Sequence, residues 1–126
     1  MIISCGVDIC ETDRIAQMIK LHGDRFLERT FTEEELAYSM GRVRQAEHLA
    51  GRFAAKEAVL KALGTGWSGG LSWLDISVST LPSGEPRLQL MGRAKEVADE
   101  RGVKQLHISL SHCHSYAVAM VVAEGG

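Results

Sequence analysis

The stretch Ala50-Gly51-Arg52-Phe53-Ala54-Ala55-Lys56-Glu57-Ala58-Val59-Leu60-Lys61-Ala62-Leu63-Gly64-Thr65-Gly66 decides how the rest of the chain is read. Alanine and leucine dominate it and proline is absent, so the spacing predicts a helix beginning near Gln45 and stopped by Gly64. Leu49, Phe53, Leu60 and Leu63 recur at helical spacing, which turns that stripe into a core. Lys56 falls within the apolar stripe and Glu57 at its edge, with Lys61 one turn further on. A half-sunk carboxylate is costly unless a cation or donor meets it. By itself the Glu57–Lys61 spacing also fits an ordinary helix-stabilising pair worth about 0.2–0.5 kcal/mol. Beyond the helix, Gly64-Thr65-Gly66 can curl backbone N–H groups into an anion-binding nest.

Outward from this helix, the chain of 126 residues reads as one domain, with 45% hydrophobic residues to fill a core. No apolar run reaches membrane-spanning length, and the first residues lack the basic and apolar regions of a secretory signal. Cys5, Cys10 and Cys113 are too few for a disulfide framework and fit a reducing compartment, so the expected location is cytoplasmic. A net charge of −2 gives no global field for nucleic acid. Basic residues do concentrate in the first half, which leaves room for a local patch facing an acidic partner.

Residues 2–9 read as a strand. Ile3, Cys5, Val7 and Ile9 form its most apolar face, and Ser4, Gly6 and Asp8 the other. Thr12 or Asp13 caps a following helix that Gly23 breaks, and residues 24–29 form a short helix. Thr32-Glu33-Glu34-Glu35 resembles a capping box, its acids a solvated helix start. After a glycine-rich loop over 64–70 containing Trp67, residues 74–80 and 87–91 form a hairpin around Pro82-Ser83-Gly84-Glu85-Pro86. Residues 92–101 are an amphipathic helix. Residues 106–111 form a strand with Leu106, Ile108 and Leu110 inward. Residues 116–123 are apolar on both faces and predict a central strand. The order implies an α+β domain, an antiparallel sheet with helices packed on one side.

Three stretches then stand together: Gly6-Val7-Asp8-Ile9 with Arg14, Arg52-Phe53-Ala54-Ala55-Lys56-Glu57-Ala58 with Gly64-Thr65-Gly66, and Ser109-Leu110-Ser111-His112 with Tyr116-Ala117. In order and spacing they resemble the 4′-phosphopantetheinyl transferases, specifically the short holo-[acyl-carrier-protein] synthase group, over nearly the whole chain. The resemblance implies transfer of the phosphopantetheine arm of coenzyme A to a serine of an apo acyl carrier protein in fatty acid biosynthesis, releasing adenosine 3′,5′-bisphosphate. It implies Asp8 and Glu57 as Mg²⁺ ligands, a donor set that suits Mg²⁺ completed by substrate phosphates and water. Asp8, Glu57 and Lys61 would be the catalytic residues, Lys61 neutralising charge on the leaving group. Arg52, Lys56, Lys61, Gly64, Thr65, Gly66, Ser109, Ser111 and His112 would contact the coenzyme; for Lys56 a structural pairing stands open beside that role, and for His112 a satisfied strand-end histidine. Arg14 would dock the acidic carrier protein, with Met18, Arg25, Phe26 and Arg29 extending the surface. The serine proton goes to Glu57 or to a metal-bound water.

The resemblance also implies a homotrimer with sites between subunits, since one small domain offers little concave surface for a coenzyme. Two rival readings compete. One is a non-catalytic domain that binds nucleotide or an acidic protein. The other is a zinc site from His107, His112, Cys113 and His114, disfavoured because adjacent strand residues point to opposite faces.

Overall fold

The structure, a computed structural model, describes residues 1–66 and 68–126; Trp67, expected in the glycine-rich loop, lies outside the described residues. In chain order the elements are β1 (Ile2–Glu11), α1 (Thr12–His22), α2 (Asp24–Thr30), α3 (Glu33–Ser39), α4 (Gln45–Leu63), a 3₁₀ turn (Trp73–Asp75), β2 (Ile76–Thr80), β3 (Pro86–Leu90), α5 (Gly92–Glu100), β4 (Val103–His112) and β5 (Tyr116–Gly125). β1, β5 and β4 form an antiparallel sheet in that order, and β2 and β3 pair as the expected hairpin in a second, two-stranded sheet. The α+β class follows, with β5 central as its two apolar faces require.

Helix α4 starts at Gln45 and ends on Gly64, which takes the left-handed conformation (φ 76°) and returns its N–H to Leu60 and Lys61. From Leu49 to Leu63 every residue is buried except Glu57, half-buried, and Lys61, exposed. One face of the three-stranded sheet lies on this helix. Ala117, Ala119, Val121 and Ala123 of β5 are fully buried there, their small side chains bringing strand and helix close.

β1 turns its less apolar face to the helix. The face on α4 carries Ser4, Gly6, Asp8 and Cys10, while the apolar set Ile3, Val7 and Ile9 is 43%, 56% and 62% exposed. Gly6 is the reason. A Cβ there would stand 2.2 Å from the carbonyl oxygen of Ala58 and 2.9 Å from the nitrogen of Ala62. The strand rests directly on the helix backbone, a contact no larger residue permits.

Residues 73–75, of which Leu74 and Asp75 were expected in a strand, instead form a 3₁₀ turn. Ser72 caps it by accepting from the N–H of Leu74, and the Asp75 carboxylate accepts from the N–H of Ser72. Thr32 and Glu35 form the predicted capping box, but Glu35 is not solvated. Its carboxylate is fully buried, accepts from the N–H groups of Thr32 and Val78, and pairs with Lys56 at 2.8 Å. Among the described residues, no helix is long and apolar enough to cross a membrane.

Candidate functional site

Because Gly6 seats β1 on α4, Asp8, two residues along the same face, arrives beside the exposed Lys61, one turn from the half-buried Glu57. Lys61 Nζ lies 3.3 Å from Asp8 Oδ1 and donates to the Val7 carbonyl at 2.9 Å, fixing the strand to the helix. Next along the strand, Cys10 senses the local charges. Burial pushes its thiol up to about 11, Arg14 works against that, and the carboxylates of Asp8, Glu11 and Glu57 add to it. Asp8, Glu57 and Lys61 therefore lie in one neighbourhood, and Arg14, expected at the docking surface, borders it.

Asp8 and Glu57 are hard oxygen donors from separate elements with no completed cage around them, a set that could hold a hard cation whose other ligands are phosphate oxygens and water. Among the described residues no group of three His, Cys, Asp or Glu is assembled that would hold a metal unaided. Of the zinc candidates, His107 stands apart, pairing with Glu124 at 2.9 Å, while His112 and His114 share Glu47.

Several nominated coenzyme contacts are placed elsewhere. Lys56 has no exposed surface; its ammonium donates to the carbonyls of Trp73 and Ile76 and pairs with Glu35. Burial lowers its pKa against the opposing pull of Glu35. A group so enclosed cannot reach a phosphate, so the structural alternative for Lys56 holds and its coenzyme role is corrected. Gly64 is corrected in part, because its N–H closes the helix and is not free for a nest; Gly66 and Thr65 follow in the exposed loop. The guanidinium of Arg101 lies against Gly64, 3.0 Å from where a Cβ would be. It is a cation at this loop that sequence spacing could not find. Arg52 is buried, donating to the His48 carbonyl and to Thr80 Oγ1 at 2.7 Å, with its guanidinium over the Tyr38 ring.

Ser109, Ser111 and His112 do not share a face. In register, Val7, Met120 and Ser109 form one row of the sheet and Ile9, Val118 and Ser111 the next, both on the side away from α4. Cys10, Ala117 and His112 form a row on the α4 side, where His112 meets Glu47.

The docking candidates are brought together. Met18, Arg25, Phe26 and Arg29 line one groove of about 600 Å³ with His22, Thr30 and Trp73. Trp73 stacks on Phe53 at 4.8 Å, and the guanidinium of Arg14 lies 5.4 Å over Phe53, so Arg14 stands at the groove's end, beside the Asp8 cluster. Trp73 escaped the sequence reading, which took Phe53 for core alone. The signal, a tryptophan in the polar context Ser72-Trp73-Leu74-Asp75, is weak without the fold.

Known proteins resemble this chain over nearly its whole length. Residues 4–121 match the model of the 4′-phosphopantetheinyl transferase superfamily. A holo-[acyl-carrier-protein] synthase of Moorella thermoacetica is 48% identical over 97% of this chain and 94% of its own. One of Koribacter versatilis is 46% identical over 98% and 99%. Among solved structures, the holo-[acyl-carrier-protein] synthase of Neisseria meningitidis superposes with a TM-score of 0.88 at 36% identity, covering 98% of this chain and 99% of that one. That of Helicobacter pylori, in complex with coenzyme A, gives 0.83 at 35%, covering 95% and 99%.

Proposed function

This chain belongs to the 4′-phosphopantetheinyl transferase superfamily, and from that premise we propose how its residues divide the work of a holo-[acyl-carrier-protein] synthase. The enzyme transfers the phosphopantetheine arm of coenzyme A to a serine of apo acyl carrier protein, leaving adenosine 3′,5′-bisphosphate. Its place is the supply of holo carrier protein for fatty acid biosynthesis. The observation that carries the assignment of roles is the convergence of Asp8, Glu57 and Lys61 where Gly6 lets β1 touch α4.

Asp8 and Glu57 would hold Mg²⁺, and the residues fit it by donor chemistry. When bound, the ion would polarise the coenzyme's pyrophosphate and offset its charge. Lys61, exposed and one turn from Glu57, is placed to neutralise the bisphosphate as it leaves. With a phosphate present, its ammonium exchanges part of its contact with Asp8 for the ligand. The groove at Arg14 offers cations around Met18, Phe26 and Trp73, a surface suited to an acidic amphipathic protein that must bring its serine to Asp8 and Glu57.

The coenzyme site reads as shared between copies of the chain in a homotrimer. Lys61 and the Glu47–His112 cluster lie fourteen residues apart along α4, about 21 Å. The uncovered sheet face supplies an apolar surface for a second copy: Ile3, Val7 and Ile9 of β1 beside Tyr116, Val118 and Met120 of β5. Ser109 and Ser111 border it, so each would meet the neighbour.

The test is the mass of apo carrier protein incubated with coenzyme A and Mg²⁺. Gain of one phosphopantetheine arm is expected, lost with chelator and in Asp8→Asn and Glu57→Gln, both of which keep side-chain shape. Near-normal Mg²⁺-dependent turnover by Glu57→Gln would return Glu57 to a helix pair with Lys61. Coenzyme binding with no transfer by the wild type would favour the non-catalytic alternative.

A further inference from the structure

Glu47 lies in the first turn of α4 and is buried. A carboxylate removed from water is costly unless both oxygens find cations or donors, and here they do. His112 Nδ1 is 3.2 Å from Oε1, His114 Nδ1 is 3.4 Å from Oε2, and Arg44 Nε is 3.9 Å from Oε2. Its partners are the exposed members: their side chains are 33%, 84% and 61% accessible against 8% for Glu47. An acid recruited for a surface ion pair is ordinarily as exposed as its partners and contributes little. Glu47 is instead the buried hub from which two imidazoles and a guanidinium extend.

The rest of the surroundings is aromatic or basic. The His48 ring lies 5.5 Å from that of His112 and 5.5 Å from Tyr38, and Arg42 and Arg52 sit over the Tyr38 ring at 4.1 and 4.4 Å. Burial, then Arg52 and His112, hold His48 below its ordinary pKa. Anionic Glu47 thus balances a cluster otherwise built to meet negative charge. An imidazole whose Nδ1–H is given to a carboxylate has its ring plane and tautomer set, and its Nε2 is turned away from that carboxylate.

We propose that Glu47 is a positioning residue for the donor substrate: it holds His112 by Nδ1 so that Nε2 meets a phosphate of coenzyme A, without touching the coenzyme itself. The proposal rests on the reading that puts His112 in the nucleotide pocket. The carboxylate's charge offsets a proton on Nε2, and the ring then donates a charge-assisted hydrogen bond to the phosphate oxygen. His114, on the other carboxylate oxygen, keeps Glu47 from rotating away.

The test is a double-mutant cycle of Glu47→Gln and His112→Ala, measuring KM for coenzyme A and kcat at a temperature where all four proteins are folded. Two-bond ¹H–¹⁵N spectra of the wild type report the His112 tautomer. His112→Ala and Glu47→Gln are each expected to raise KM about tenfold with kcat nearly unchanged, the size of one charge-assisted hydrogen bond. The double variant should be no worse than His112→Ala alone, because Glu47 acts through that ring. The neutral wild-type ring should be the Nδ1–H tautomer. Additive losses in the double variant, an unchanged KM in Glu47→Gln while His112→Ala raises it, or an Nε2–H tautomer would overturn the role of Glu47 and leave His112 in the pocket. An unchanged KM in His112→Ala would remove His112 from the pocket, and the role of Glu47 with it.

Discussion

Replacing Gly6 with alanine tests the contact on which the Asp8–Glu57–Lys61 arrangement depends. The added methyl would meet the Ala58 oxygen at 2.2 Å, the Ala62 nitrogen at 2.9 Å and Lys61 Cβ at 3.0 Å. Contacts of carbon with heavy atoms settle at about 3.5 Å, so β1 must retreat from α4 by roughly 1 Å. Two of the three obstacles are main chain, and no rotamer change relieves them. Such overpacking costs about 1–3 kcal/mol, which lowers the melting temperature by roughly 4 °C per kcal/mol for a domain of this size. The same displacement carries Asp8 away from Lys61, now at 3.3 Å. A shift of that size in reacting geometry costs about a hundredfold in rate. Gly51→Ala is the contrast: a Cβ there meets nothing within 4 Å, and alanine is favoured over glycine in a helix by about 1 kcal/mol. It should leave transfer unchanged. The assays are a thermal melt and the mass shift of apo carrier protein with time. A Gly6→Ala protein that melts with the wild type and transfers within about threefold of it would refute the claim that this close approach builds the site.

The other predictions follow from single contacts. Lys56→Met leaves Glu35 charged and buried, so stability should fall by about 3–5 kcal/mol by denaturant titration. KM for coenzyme A in the folded fraction should stay near wild type, and a selective rise would restore Lys56 to the phosphates. Cys10 should resist iodoacetamide in the native protein while Cys113 reacts. Its folded pKa of about 11 lies above the ordinary 9.0, so its contribution is intact below pH 9 and is lost as pH rises toward 11, up to about 3 kcal/mol. Cys10→Ala should lack that alkaline loss, and a wild-type curve parallel to it would contradict the burial argument. Val7→Glu or Met120→Glu, on the uncovered sheet face, should dissociate the proposed homotrimer in sedimentation velocity while leaving a folded chain; an unchanged sedimentation coefficient would place the interface elsewhere. Arg14→Ala should raise KM for carrier protein, less so with added salt because screening acts within about 8 Å at physiological ionic strength. A fall in coenzyme affinity alone would move Arg14 to the nucleotide site.

What the chain's own order of residues determined is local. Alanine content and Gly64 bounded α4, the Thr32–Glu35 spacing made a capping box, and the Pro82-to-Pro86 turn joined β2 to β3. Each depends on backbone preference and on hydrogen bonds within a few residues. The motifs around Asp8, Arg14 and Glu57 likewise named residues that the fold brings together. Tertiary structure decided which face of each element met which partner. Periodicity marks the most apolar face of β1 as its core side, yet the helix takes the small face, because Gly6 and the alanines of β5 allow backbone approach that isoleucine and valine would block. Glu35 looks like any acid of a first helical turn until α4 and β2 enclose it with Lys56 and the N–H of Val78. Glu47 carries no signal in the sequence, for its histidines arrive 65 and more residues later from the far end of β4. Burial and long-range pairing depend on which surfaces close over a residue, and a period of two or of 3.6 does not carry that information.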